Sequence, residues 1–151
     1  MTLAQLLLAL PLFVMVFLTF VVLITLARKR FKAAQAGTLD TTFYSVYRGD
    51  AEPDDIRQVS RNLTNLFETP VLFYAGVILA LTLNVQSFLL VAFAWLYVVL
   101  RCFHSYIHCT NNHVKKRLKI FVRSVFALMF FWGILLVQLL LQFFNSAALI
   151  N

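Results

Sequence analysis

Residues 61–83 read RNLTNLFETPVLFYAGVILALTL. The second half is an uninterrupted apolar run, yet Arg61, Asn65 and Glu68 stand at its entrance. Spacings of i, i+4 and i+7 place all three on one face of a helix. Charged groups at the mouth of a membrane-length apolar run are costly, and they usually face a bundle interior or a wet cavity. The fold and the site are both written in this stretch.

The rest of the chain agrees with a membrane reading. Of 151 residues, 62% are hydrophobic and 13% are charged, and the mean hydropathy is +0.85. Soluble domains have about half their residues apolar and about a quarter charged. Four runs are long enough for the roughly 20 residues a crossing helix needs: about 3–27, 66–83, 88–108 and 120–144. No strand-type alternation is present, so the expected fold is all-α, an integral membrane four-helix bundle forming one domain over 1–151. Met1–Ala27 reads as a retained span, because RKRFK follows it rather than small residues suited to cleavage.

The net charge of +7 does not point to nucleic acid. Arg28, Lys29, Arg30, Lys32, Arg48, Arg57 and Arg61 lie between spans 1 and 2. Lys115, Lys116, Arg117 and Lys119 lie between spans 3 and 4. The link Asn84–Ser87 and both termini carry no lysine or arginine. The positive-inside rule then puts both basic segments in the cytoplasm and both termini on the other side. In the first loop, AAQAGTLDTTFYSVY has no period and reads as loop. AEPDDIRQVSRN reads as a helix start near residue 53, with Pro53 in the first turn and Glu52, Asp54 and Asp55 at the positive end of the dipole.

Span 3 carries a second polar stripe. Arg101, His104 and His108 are spaced i, i+3 and i+7, with Tyr97 one turn earlier. Counting from the short link at about 1.5 Å per residue, Glu68 lies about 25 Å down its helix, Arg101 about 21 Å and His104 about 25 Å. The two stripes are therefore expected at one depth, with a Glu68–Arg101 ion pair between them. Arg117 opens helix 4 at that level, and Arg28–Arg30 close helix 1 there. Pro70 is expected to kink helix 2 and release a carbonyl.

Simpler readings account for part of this. Each basic residue alone suits topology and lipid headgroups. Topology does not require Asn65, His104 or His108, so the set reads as a cationic pocket for a polyanionic, zwitterionic ligand. The His104–His108 pair could bind a metal, but Arg101 beside it disfavours a cation, and no metal is expected. Ser105, Cys102 and Cys109 lack a base with an orienting partner, so none reads as a nucleophile. Cys102 and Cys109, seven apart on one helix, cannot bridge.

RNLTNLFETP entering helix 2, RCFHSYIH in helix 3 and the arginine of KKR opening helix 4 together resemble the MAPEG family, the membrane-associated proteins in eicosanoid and glutathione metabolism. The resemblance covers the chain from helix 1 to helix 4. It implies a homotrimer that binds glutathione between neighbouring subunits near the cytosolic side. On the family pattern, Arg61, Asn65, Glu68, Arg101 and His104 contact glutathione or line its site, and Arg117 matches the arginine that activates the thiolate. One of Arg28 or Arg30 matches the basic residue ending helix 1.

His108 replaces a tyrosine of the active eicosanoid enzymes, and an imidazole can supply its hydrogen bond. Leu63 replaces a polar residue found in some members. HSYIHCTNN is short, as in prokaryotic members, so a bacterial inner membrane is expected over endoplasmic reticulum. The implied function is a glutathione-dependent transferase or peroxidase acting on lipophilic electrophiles. The alternative is a non-catalytic member that binds a lipid or glutathione. The expected partners are a second and third copy of the chain, membrane lipids and a lipophilic substrate.

Overall fold

A computed structural model describes residues 2–39 and 52–148, apart from the side chains of Ser146 and Ala147. The expectations for Arg48 and for the part of the first loop from Asp40 onward lie outside the described residues. Five helices follow one another: α1 (Leu3–Gln35), α2 (Asp54–Leu66), α3 (Thr69–Thr82), α4 (Phe88–Cys109) and α5 (Val114–Ala148). The described residues contain no strand. α1, α4, α5 and the α2–α3 pair are each long and apolar enough to cross a membrane.

α1 begins with a reciprocal cap. The Thr2 hydroxyl accepts from the Gln5 amide at 3.3 Å, and the Gln5 side-chain carbonyl accepts from the Thr2 amide at 2.8 Å. Its other end overruns the apolar stretch. Ala33–Gln35, read from sequence as the start of a loop, are the last helical residues, and the helix stops at Gly37. That glycine sits at φ +68°, and Gly37 and Thr38 donate back to the carbonyls of Ala34 and Ala33. A Cβ is strained at such a φ, so glycine ends the helix where the apolar pattern did not. The overhang packs on the start of α2 through Lys29–Asp55 at 2.6 Å and Arg30–Glu52 at 2.7 Å. The acidic residues that suit the helix dipole thus also hold α1.

Two prolines are accommodated differently. Pro11 lies inside α1 and cannot donate to the carbonyl of Leu7, four residues back. The Trp95 indole of α4 donates to that carbonyl at 3.2 Å, so the freed acceptor is satisfied across the bundle. Pro70 stands at the start of α3. The helix breaks at Phe67–Glu68, where Glu68 adopts φ −95° and ψ −97°. Helix 2 of the sequence reading is therefore two helices.

The core runs along the centre of the bundle. Phe73 of α3 stacks on Tyr97 of α4 at 4.9 Å and on Phe131 of α5 at 5.9 Å between ring centroids. All three are fully buried. Phe13, Phe17 and Phe20 of α1 and Phe126 and Phe130 of α5 are exposed. Such a surface suits a bilayer as solvent and not water.

Gly76 of α3 packs directly against side chains of α5. A Cβ there would lie 2.6 Å from the Phe131 ring and 3.2 Å from Trp132. Phe131 is fully buried and cannot yield. Gly76→Val is expected to destabilise the protein by about 1–3 kcal/mol through overpacking, read as a lower melting temperature in detergent. An unchanged melting temperature would mean that the helices separate freely at this point.

Candidate functional site

The inward face of α4 carries the polar residues to one end of the bundle. Arg101 is 0% exposed, and His104 and His108 are each 3% exposed. Cross-helix hydrogen bonds fix the register of α4 against α2 and α3. Tyr97 meets Thr69 at 3.3 Å, Arg101 donates to the Asn65 carbonyl at 2.9 Å, Ser105 donates to the Asn62 side chain at 3.3 Å, and Gln58 donates to the His108 carbonyl. The Asn65 carbonyl lies in the last turn of α2, where carbonyls have no intrahelical partner. The break before Pro70 thus supplies the acceptor that Arg101 uses.

That register corrects the expected Glu68–Arg101 pair. Glu68 lies one turn beyond the level of Arg101, and the ion pairs among the described residues do not include it. Counting down from the link assumed two straight helices. The break rotates Glu68 out of the α2 spiral and leaves it exposed. It remains an electrostatic neighbour of Arg101 without touching it. The stripe Arg61–Asn65–Glu68 is likewise not continuous. Arg61 is exposed on α2, and only Asn65 of the three is turned partly inward.

A cavity of about 200 Å³ opens here, lined by Asn65, His104 and His108 and by Val114, Arg117, Leu118 and Phe121 of α5. Arg117 comes from the first turn of α5. Its guanidinium donates to the side chain of Asn112, which occupies the left-handed turn between α4 and α5 at φ +48°. The Arg117 carbonyl lies 3.2 Å from His104 Nδ1. A carbonyl can only accept, so Nδ1 carries the ring proton and His104 Nε2 of the neutral ring is a bare acceptor. Phe121 packs on the His104 ring at 5.5 Å and under the Arg101 guanidinium at 5.7 Å. The two imidazoles stand edge to face at 5.7 Å.

Five buried polar atoms around this point have no hydrogen-bond partner: Asn65 Oδ1, Arg101 Nε and Nη1, His104 Nε2 and His108 Nδ1. Buried polar groups are nearly always paired, and an unpaired one costs about 1–3 kcal/mol. Five within one cluster fit a polar ligand with both donors and acceptors. Among the described residues no three His, Cys, Asp or Glu side chains come together as a metal-binding group.

Neither candidate at the end of α1 reaches the cavity within one chain. Arg30 pairs with Glu52 and donates to Ser60 at 3.4 Å. Arg28 is exposed on the surface of α1. The sequence reading also passed over Asn62, which is 0% exposed. It accepts from Ser105 and donates to Cys109 Sγ at 3.2 Å, tying α2 to the segment of α4 that bears both histidines. The signal was available: Glu52, Ile56, Val59, Asn62 and Leu66 recur at helical spacing and are all buried. Cys102 and Cys109 are both free thiols.

A broken second span, a buried arginine and two imidazoles on the third and an arginine bonded to the preceding turn at the start of the last define a multi-pass membrane helical bundle with a polar cavity at one end. A family model, that of the MAPEG family, matches residues 8–137. The chain belongs to the MAPEG family, whose members are membrane four-helix bundles. No curated protein and no solved structure matches it.

Proposed function

We propose that the cavity holds part of glutathione and that the protein is a glutathione-dependent membrane transferase or peroxidase for lipophilic electrophiles. The family includes glutathione transferases and peroxidases. The observation that carries the reading is the cluster of five unpartnered buried polar atoms around Asn65, Arg101, His104 and His108. Glutathione is a zwitterion with two carboxylates, an ammonium, amides and a thiol, and so offers both acceptors and donors. Arg101 Nε and Nη1 suit a carboxylate or carbonyl, Asn65 Oδ1 suits an N–H, and His104 Nε2 suits an N–H or S–H.

The cavity takes only part of such a ligand. Arg61, Glu68 and Arg28 are exposed on the outer faces of α2, the break and α1, and a neighbouring copy in a homotrimer would close the site against them. Arg117 is the proposed thiolate partner. Its guanidinium stays charged in a partly desolvated site, favours the thiolate over the thiol and keeps it reactive. In transfer, the sulfur bonds to an electrophilic carbon and the leaving group departs with its electron pair. In peroxide reduction, the thiolate attacks one peroxide oxygen, the O–O bond breaks, and the alkoxide leaves and takes a proton to become the alcohol. A second glutathione thiol then displaces the sulfenic hydroxyl as water and leaves the disulfide. The proposed setting is a bacterial inner membrane, with the basic end of the bundle in the cytoplasm.

A second reading is a non-catalytic member that binds glutathione or a lipid. It is favoured by the bond from Arg117 to Asn112, which occupies part of the guanidinium. Titrating glutathione into the detergent-purified protein, with a chromogenic electrophile and a lipid hydroperoxide as substrates, separates the two. A raised melting temperature with turnover supports the enzyme. A raised melting temperature without turnover supports the binder. No thermal shift at millimolar glutathione overturns the enzyme and the glutathione binder, and leaves the lipid binder to be tested by a thermal shift with added lipid.

A further inference from the structure

α5 has a second face, turned away from the cavity, that the glutathione reading does not use. Lys116, Lys119 and Arg123 are spaced i, i+3 and i+7 on it, and all three are exposed. Arg123 lies nine residues into α5, about 14 Å along the axis. Among the described residues no side-chain hydrogen bond or ion pair engages it. An exposed arginine inside a span must snorkel toward the interface or meet an anion there.

The same stripe continues into an apolar groove. Phe126, Phe130, Gly133 and Val137 follow Arg123 at alternating steps of three and four. Together with Leu89 of α4 they line a groove of about 600 Å³. Phe93 of α4 packs on Phe130 at 5.5 Å between ring centroids and holds that ring in place. Gly133 leaves open space, since a Cβ there would meet nothing within 4 Å. From Phe126 to Val137 the groove runs about 16 Å. That is close to one leaflet of a hydrocarbon core about 30 Å thick.

We propose that this face is a binding site for an anionic phospholipid of the leaflet on the basic side. Its phosphate sits among Lys116, Lys119 and Arg123, and one acyl chain lies in the groove along Phe126–Val137. Three cations spread over about 10 Å of helix suit the several oxygens of a phosphodiester headgroup better than the single carboxylate of a fatty acid. The continuity of charge and groove on one stripe distinguishes this face from the other apolar surfaces. The proposal is independent of the glutathione reading, because α5 presents Arg117 and Phe121 to the cavity from its other side.

The test is native mass spectrometry of the delipidated full chain, offered phosphatidylglycerol or phosphatidylcholine. Phosphatidylglycerol is expected to be retained in preference. Lys119→Gln and Arg123→Gln are each expected to weaken its binding about fivefold, while Lys32→Gln, on α1, leaves it unchanged. Gly133→Leu is expected to weaken it without any change of charge, by filling the groove. Equal retention of the two lipids, palmitate bound as tightly as phosphatidylglycerol, or Gln variants that bind as the parent does would each overturn the proposal. A change of subunit number in Gly133→Leu would assign the face to a second copy and overturn it as well.

Discussion

Arg117→Ala is expected to lower turnover with glutathione and an electrophile by about 10²–10³-fold, the loss typical when one preorganised charge-stabilising donor is removed. Glutathione should still raise the melting temperature of the variant. Arg101, Asn65 and the two imidazoles would remain to hold the peptide part of the ligand. Arg117 also anchors the turn between α4 and α5 through Asn112, so a structural contribution must be separated from a chemical one. Arg117→Lys keeps the charge but not the planar fork. It should recover part of the rate, and Asn112→Ala should cost far less turnover than Arg117→Ala. Unchanged turnover in Arg117→Ala would remove the residue from the chemistry.

Arg101→Met is expected to abolish stabilisation by glutathione while leaving the unliganded protein within about 1 kcal/mol of the parent. Arg101 is fully buried, and two of its three nitrogens are unpartnered. Replacing a buried charge by an apolar side chain of similar length removes that desolvation cost. Against this stands one lost hydrogen bond to the Asn65 carbonyl, and the two effects nearly cancel. A ligand at 100 times its dissociation constant stabilises its protein by about 2.7 kcal/mol, and the variant should forfeit this. If the polar layer served only to fix helix register, the pattern would reverse. The unliganded variant would then be markedly weakened, and glutathione would stabilise neither form.

Much of the cavity is legible in the sequence. Arg101, His104 and His108 share a face because α4 is a continuous helix, and periodicity is exact enough over two turns to place them. Arg117 was legible as the charged residue opening the last helix. The α2 stripe was less so. Arg61–Asn65–Glu68 obeys the same spacing rule, but Pro70 ends the spiral between its members. Periodicity extrapolated through the break gave Glu68 the wrong level and the wrong partner. The buried Asn62 was overshadowed by its charged neighbour Arg61. In a membrane protein polarity alone does not say which side of a helix meets protein.

By itself, the amino-acid sequence determined four crossings and an all-helical bundle, because length and hydropathy decide what can span oil. It also determined which residues of α4 share a face, because that depends only on local geometry. Only the tertiary structure decided that Arg101 reaches the Asn65 carbonyl and not Glu68, that Trp95 satisfies the carbonyl freed by Pro11, and that Arg30 is engaged by Glu52. Each of these depends on the register between helices distant in sequence. Side-chain packing and the satisfaction of buried polar groups set that register, and no pattern along a single helix encodes it.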